Sequence, residues 1–362
     1  MRFERFMELA LYAPGLGYYS GGRRVLGQRP QDGSDFVTAP ELTPLFGETL
    51  ARQIGQALDV TGTRELWEFG AGSGALAEQL LRELGDRIDR YTIVDLSGTL
   101  RDRQHQRLLK ALPELAHKVV WADTLPETFS GVVVGNEVLD AMPVNLLVFD
   151  GERWLERGVG LTTGTGPDDE PVRFAWSDRP GPEGLRPATD RPDEAFAPGT
   201  VTETHAQAEA FVRTLAQRMT RGAAFFIDYG FPEAEYHHPQ RVGGTLMCHH
   251  LHTSDPDPLT GVGHKDITAH VNFTGVALAG QEAGWEVLGY TSQGRFLTNC
   301  GLGAALARTG DASTADELRA RAALQMLVAE HEMGELFKVL GFVKGPWFDA
   351  LGFAHGDRTH TL

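Results

Sequence analysis

The sequence predicts an α/β protein built on a doubly wound, Rossmann-like sheet, and three observations carry that prediction. Short Val/Ile-rich runs alternate with amphipathic stretches from residue 64 onward. A glycine-rich turn, Gly70-Ala71-Gly72-Ser73-Gly74, follows the first of those runs. Acids stand at the ends of three successive runs, at Glu68, Asp95 and Asp123. Continuous apolar strands suit a parallel sheet covered on both faces, and their alternation with helices implies a doubly wound fold.

Each element has its own signal. Residues 3–11 read as a short helix that leads into the turn APGLGYYSGG, and a second helix carries Leu45, Thr49, Gln53 and Leu58. ELWEF is the first strand. The helix SGALAEQLLREL follows, with Leu76, Leu80 and Leu84 on one stripe and Gly85 at its end. YTIVDLS is the second strand, and RDRQHQRLLKAL is a helix stopped by Pro113. KVVWAD and GVVVGNE are the third and fourth strands. The pattern then breaks at NLLVFDGERWLERGV, a hairpin around Asp150-Gly151. Residues 160–200 hold seven of the nineteen prolines and read as a polar insertion. The α/β pattern resumes with a helix at 205–219 and the strand AAFFIDYG, then a long loop and a helix near 274–283. A helix at 314–331 starts behind Thr314-x-x-Glu317, and FKVLGFVKG is the last strand. The expected organisation is an N-terminal segment (1–60), a first half of the core (61–150), an insertion (151–203) and a second half (204–362) with a substrate-side loop at 231–272.

Composition narrows the function. The chain has 362 residues, with 49 acids against 33 Lys and Arg, a net charge of −16. A general nucleic-acid binder would show a basic face instead. The acidic balance mildly favours a cationic partner, although it also serves solubility. Only Cys248 and Cys300 are present, which points to a reducing, cytoplasmic location. No apolar run approaches the ~20 residues a membrane span needs.

The glycine turn should receive a nucleotide. Its spacing is E-x-G-x-G-x-G rather than the dinucleotide G-x-G-x-x-G. A pyrophosphate prefers helix N–H groups without a nearby carboxylate, so Glu68 opposes it. A ligand with a cationic amino group and a sulfonium, S-adenosylmethionine, welcomes Glu68. Asp95 can accept ribose hydroxyl hydrogens, and Asp123 can face the adenine amino group. Two other readings stay open: NAD, and strand-end acids that only cap helices.

Eight blocks then resemble the MidA-like family of class I S-adenosylmethionine-dependent methyltransferases: FMELALYAPGLGYY, SDFVTAPELTPLFGE, WEFGAGSGALA, GNEVLDAMPV, IDYGFP, GGTLMCHHLH, GHKDITAHVNF and MGELFKVLGFVKG. They run in the family's order along nearly the whole chain. The family's Gly-Asp-Phe is Ser34-Asp35-Phe36 here, and Asn272 stands where Asp is common. The resemblance implies a methyltransferase core, S-adenosylmethionine as cofactor, and an N-terminal lid including Thr38 and Pro40. It also implies methylation of a protein arginine, which the family's mitochondrial branch performs on a complex I subunit. Glu68, Gly70, Ala71, Gly72, Gly74, Asp95, Leu96, Asp123, Thr124 and Asn136 form the expected cofactor set.

Arginine methylation needs carboxylates, because guanidinium stays protonated and must approach a cationic sulfonium. Glu137 and Asp140, after the fourth strand, are the catalytic candidates; a helix-start acid and its solvated neighbour is the alternative. Asp228, Tyr229 and His270 are candidate substrate contacts. Seven of thirteen histidines fall between 237 and 270, but no HExxH or paired CxxC spacing accompanies them, so no metal is expected. Competing readings are a small-molecule acceptor and an assembly factor that binds the cofactor without turnover. A homodimer through the stripe Leu318, Ala322 and Met326 is weighed against ordinary core, which is preferred.

Overall fold

The computed structural model describes residues 1–21, 37–95, 98–162, 172–308 and 315–362. Ser34-Asp35-Phe36, Leu96, Thr314 and the Leu318 side chain lie outside the described residues, as does part of the expected insertion. The chain begins with helices α1 (Phe3–Tyr12), α2 (Ala39–Leu42) and α3 (Leu45–Thr61). The α/β core follows: β1 (Glu65–Phe69), α4 (Ala75–Leu84), β2 (Arg90–Val94), α5 (Gly98–Ala111), β3 (Val119–Ala122) and β4 (Phe129–Asn136). Four strands and a helix come next: β5 (Asn145–Phe149), β6 (Trp154–Leu161), β7 (Phe174–Pro180), β8 (Val201–Thr204) and α6 (Ala206–Arg218). The core resumes at β9 (Met219–Phe231), followed by α7 (Glu233–Tyr236). Short strands β10 (Met247–His250), β11 (Thr253–Asp255), β12 (Asp266–Thr268) and β13 (Val271–Asn272) precede α8 (Phe273–Glu282) and β14 (Glu286–Ser292). Helices α9 (Gln293–Asn299), α10 (Leu302–Ala307), α11 (Ala315–Val328) and α12 (Met333–Leu336) lead to β15 (Phe337–Lys344).

The central sheet runs β14-β15-β9-β4-β1-β2-β3. Pairings between β9, β4, β1, β2 and β3 are parallel, whereas β15 is antiparallel to both neighbours. Alternation along the strands explains how both faces are covered. Val132, Val134, Phe225 and Ile227 point into one core with Leu50, Ile54, Leu76 and Leu80 of α3 and α4. Val133, Ala224 and Phe226 point into the other, with Val212, Leu215 and Val276 of α6 and α8.

Two departures from the sequence reading matter for the site. The β-rich insertion is a four-stranded antiparallel sheet, β7-β6-β5-β8, that starts at Asn145, ahead of the expected boundary. The long loop at 231–272 contains a small sheet, β11-β10-β12. Polar, His-rich strands of three or four residues carry too little apolar alternation to announce themselves. A third core joins Phe3, Phe6 and Met7 of α1 to Leu146, Val159 and Ile267. It packs α1 against the four-stranded insertion sheet and the small sheet.

Candidate active site

Glu68, Asp95, Asp123 and Asn136 stand at the C-terminal ends of the parallel strands β1, β2, β3 and β4, the edge where doubly wound folds bind ligands. The glycine turn leaves β1 with Gly70, Gly72 and Gly74 at φ values of 63°, 53° and 80°. An L side chain is strained at such angles, so glycine is required there. At Gly70 a Cβ would also meet Val138 Cγ2 at 3.1 Å. The turn ends as Gly74 O accepts from the Glu78 N–H at 3.0 Å, opening α4.

Glu68 is buried beneath this turn, and Tyr91 Oη donates to its Oε2 at 2.8 Å. Burial, with a smaller push from Asp95, raises its pKa to about 8. Gln104 ties the next piece of rim together. Its Nε2 donates to Gly72 O at 3.0 Å and to Asp95 Oδ2 at 2.9 Å, and its Oε1 accepts from Trp121 Nε1 at 2.8 Å. Asp123 and Thr124 are exposed, and Arg101 pairs with Asp123 at 2.5 Å.

The N-terminal segment reaches the same rim. Glu41 of α2 accepts from Ser73 Oγ in the glycine turn and pairs with Arg107 at 3.3 Å. Gln79 of α4 donates to Pro40 O at 2.8 Å and accepts from the Gly47 N–H at 2.9 Å. The Ala39 N–H, next to Thr38 at the helix start, faces the Glu137 carboxylate and favours its charged form.

Glu137 follows β4 in a left-handed conformation, φ 54°, which a residue with a Cβ seldom adopts. Its N–H donates to Ile227 O at 2.9 Å, and Asn136 Nδ2 donates to its Oε1 at 3.0 Å. The next turn is held by Asp228, fully buried on β9. Asp228 Oδ2 accepts from the N–H groups of Val138, Leu139 and Asp140 at 3.1, 2.9 and 3.3 Å, and Oδ1 from the Tyr229 N–H at 3.0 Å. Asp228 thus faces backbone rather than an open channel. The Tyr229 hydroxyl lies beside Asp140 and favours its charged form, and its ring packs on His270 and Phe337.

The two candidate catalytic acids are held short of full ionisation. Burial and the neighbouring Asp140 raise Glu137 to about 8, and burial raises Asp140 to about 6 despite the Tyr229 hydroxyl. Three contributors had no advance signal as individual residues. Asp266 of β12 is buried and accepts from Tyr19 Oη at 2.9 Å. Tyr12 donates to Ala141 O at 2.9 Å and stacks on Tyr19 with 5.6 Å between centroids. Burial and the charges of Asp266, Asp140 and Asp95 push the Tyr12 hydroxyl upward, which places it between the two halves of the rim. All three lie in blocks that carry the family resemblance, but nothing in their spacing marks them as site residues.

The residues fit S-adenosylmethionine. Glu68 offers a buried acid to a cationic amino group, and Asn136 Oδ1 is buried without a hydrogen-bond partner. The comparisons decide the matter. A family model for an S-adenosyl-L-methionine-dependent methyltransferase matches residues 49–291. The chain belongs to that family.

A protein from Burkholderia thailandensis, crystallised with S-adenosyl-homocysteine, is 52% identical with a TM-score of 0.91, covering 100% of this chain and 92% of that one. The Drosophila melanogaster protein arginine methyltransferase NDUFAF7 homolog, mitochondrial, is 28% identical across 94% of this chain and 80% of its own. The human protein arginine methyltransferase NDUFAF7, mitochondrial, is 27% identical across 92% and 77%. The Caenorhabditis elegans homolog is 28% identical across 74% of this chain, which spans 65% of that relative's length. The chain is therefore a methyltransferase with S-adenosylmethionine as cofactor, on a class I methyltransferase fold. The cytoplasmic location expected from two lone cysteines is corrected by these relatives, which are named as mitochondrial. Cysteine usage reports a reducing environment and cannot separate one reducing compartment from another.

Among the described residues, no group of three or more His, Cys, Asp and Glu side chains could hold a metal, and no helix is long and apolar enough to cross a membrane.

Proposed function

We propose that this methyltransferase acts on a guanidinium nitrogen of a protein arginine, and that the acceptor is a subunit of respiratory complex I. The carrying observation is the pair of half-buried Glu137 and buried Asp140 beside the cofactor turn, with pKa values raised to about 8 and about 6. An arriving guanidinium favours their ionised forms, so charge appears where the cation needs it. The names of the curated relatives support the acceptor class.

The cofactor supplies an electrophilic methyl on a sulfonium. The S–CH3 bond breaks to leave a neutral thioether as the N–CH3 bond forms. Glu137 holds the guanidinium, concentrates positive charge on its far nitrogens and receives the proton released from the methylated nitrogen. Asp140, beside Tyr229, holds the second edge. Most of the acceleration comes from alignment of nucleophile, methyl and sulfur. Under this reading Thr38 and Pro40 belong to a lid, since α2 bonds the glycine turn and faces Glu137.

The test is transfer of labelled methyl into a lysate lacking this protein, with wild type and Glu137→Gln side by side. Wild type alone should label a complex I subunit and give methylarginine on hydrolysis, while both proteins bind cofactor. Equal labelling by the variant refutes the role of Glu137. Absence of label despite cofactor binding refutes turnover and favours an assembly factor.

A further inference from the structure

Past the acid pair, the rim continues as a ladder of rings. The Tyr229 ring meets His270 edge to face at 5.0 Å, and His270 lies parallel to Phe231 at 5.2 Å with an interplanar angle of 1°. The Arg241 guanidinium carbon sits 4.3 Å from the Phe231 centroid. Tyr229 and Asp140 both bond the Asp228 carboxylate through their backbone N–H groups, so the ladder runs from beside the acid pair to Arg241.

Arg241 lines a cleft of about 530 Å³ together with Glu235, His238, Gln240 and the loop Val242–Gly244. The loop leaves room: Val242 is 48% exposed, and a side chain at Gly243 would meet nothing within 4 Å. Arg241 has no ion-pair partner among the described residues, and its Nε is buried without a hydrogen bond. The one acid lining the cleft, Glu235, forms no ion pair with Arg241. The Arg241 guanidinium is thus held over a ring with no acid engaging it among the described residues. The stack sets the plane of the fork, the geometry that binds a carboxylate by two parallel hydrogen bonds.

We propose that this cleft is a specificity subsite for a carboxylate side chain of the protein acceptor, bound by Arg241 while the acceptor arginine lies between Glu137 and Asp140. The inference rests on the arginine reading above. Laid end to end, the ring separations come to about 14.5 Å, so Arg241 lies no farther from Tyr229 than about four extended residues reach. The acid therefore lies within about four residues of the methylated arginine.

The experiment uses the full chain, labelled S-adenosylmethionine and an array of peptides. Each peptide carries one arginine and one glutamate, the glutamate placed at successive positions on either side. Control peptides carry glutamine or lysine at the same places. Wild type should favour glutamate at a position within about four residues by about tenfold in kcat/KM. Arg241→Gln should lose that preference, and Arg241→Glu should reverse it toward lysine, both with unchanged cofactor affinity as the check on folding. Labelling of arginine with no positional preference, or a preference that survives both substitutions, overturns the subsite and leaves the arginine reading standing. No labelled peptide with wild type overturns the arginine reading and the subsite with it.

Discussion

Replacing Glu137 by glycine should leave the protein more stable than replacing it by alanine, the reverse of the usual order. At an ordinary position glycine costs about 0.5–1 kcal/mol relative to alanine, through the extra freedom of the unfolded chain. Glu137 sits at φ 54°, where a residue with a Cβ is strained by about 1–2 kcal/mol. Both variants lose the bonds from Asn136 and Ala39 equally, so those contacts cancel. The net advantage of glycine is about 1 kcal/mol, or roughly 1–2 °C in a chain of this size. Thermal and urea midpoints measured side by side read it. Wild type supplies a second axis. Its Glu137 pKa is raised to about 8, so the folded chain keeps the proton longer than the unfolded one. Stability relative to either variant is greatest below the ordinary carboxyl range and falls as pH climbs toward 8. Both variants should therefore gain on wild type between pH 5 and pH 8 while losing methyl transfer. Alanine equal to or above glycine would refute the strain argument.

Two further substitutions separate the rim's acids. Glu68→Gln should weaken S-adenosylmethionine binding by about tenfold at pH 7.5. Since burial raises Glu68 to about 8, wild-type affinity should climb from pH 6 to 7.5 as the carboxyl ionises against the ligand's cation. The glutamine variant should show a flatter profile, and calorimetry at three pH values compares the two. Asp228→Asn puts an amide donor among four backbone N–H groups. It should cost about 1–3 kcal/mol and lower kcat more than cofactor affinity. A wild-type kcat in a stably folded Asp228→Asn protein would refute the idea that this carboxylate holds Glu137 in place.

The parts of the fold that were legible in sequence are those where one local rule dominates. The apolar runs of β1, β2, β4 and β9 announce buried parallel strands, and alternating glycines announce a turn that needs positive φ. The small sheet β11-β10-β12 gave no such signal, because His249, His250 and Asp266 are polar and its strands are brief. For the same reason Asp266 was missed: it reaches the rim only because β10 pairs with β12 and Tyr19 comes over from the N-terminal turn. Tyr12 and Tyr19 likewise sit there through the packing of α1 on β5 and β6, a contact between residues more than a hundred positions apart. Strand-end acids are visible one at a time, but which of them meet is set by the order of strands in the sheet.

What separates a structural acid from a chemical one on this rim is the number of donors that surround it. Asp228 and Glu137 are neighbours on adjacent strands, and both were reasonable candidates from sequence. Asp228 accepts four backbone N–H bonds, so its oxygens are taken up by the turn it supports, although burial and the neighbouring Asp140 and Glu137 also push its carboxyl upward. Glu137 has one side-chain donor from Asn136 and one backbone donor from Ala39. It retains lone pairs for a guanidinium and a raised pKa that an incoming cation brings down. The donor at Ala39 belongs to α2, which also bonds the glycine turn through Glu41 and Ser73. The same short helix therefore touches the cofactor turn and the acid that would receive the proton. Its displacement would expose both at once, which couples cofactor binding to the readiness of Glu137 without any longer route through the protein.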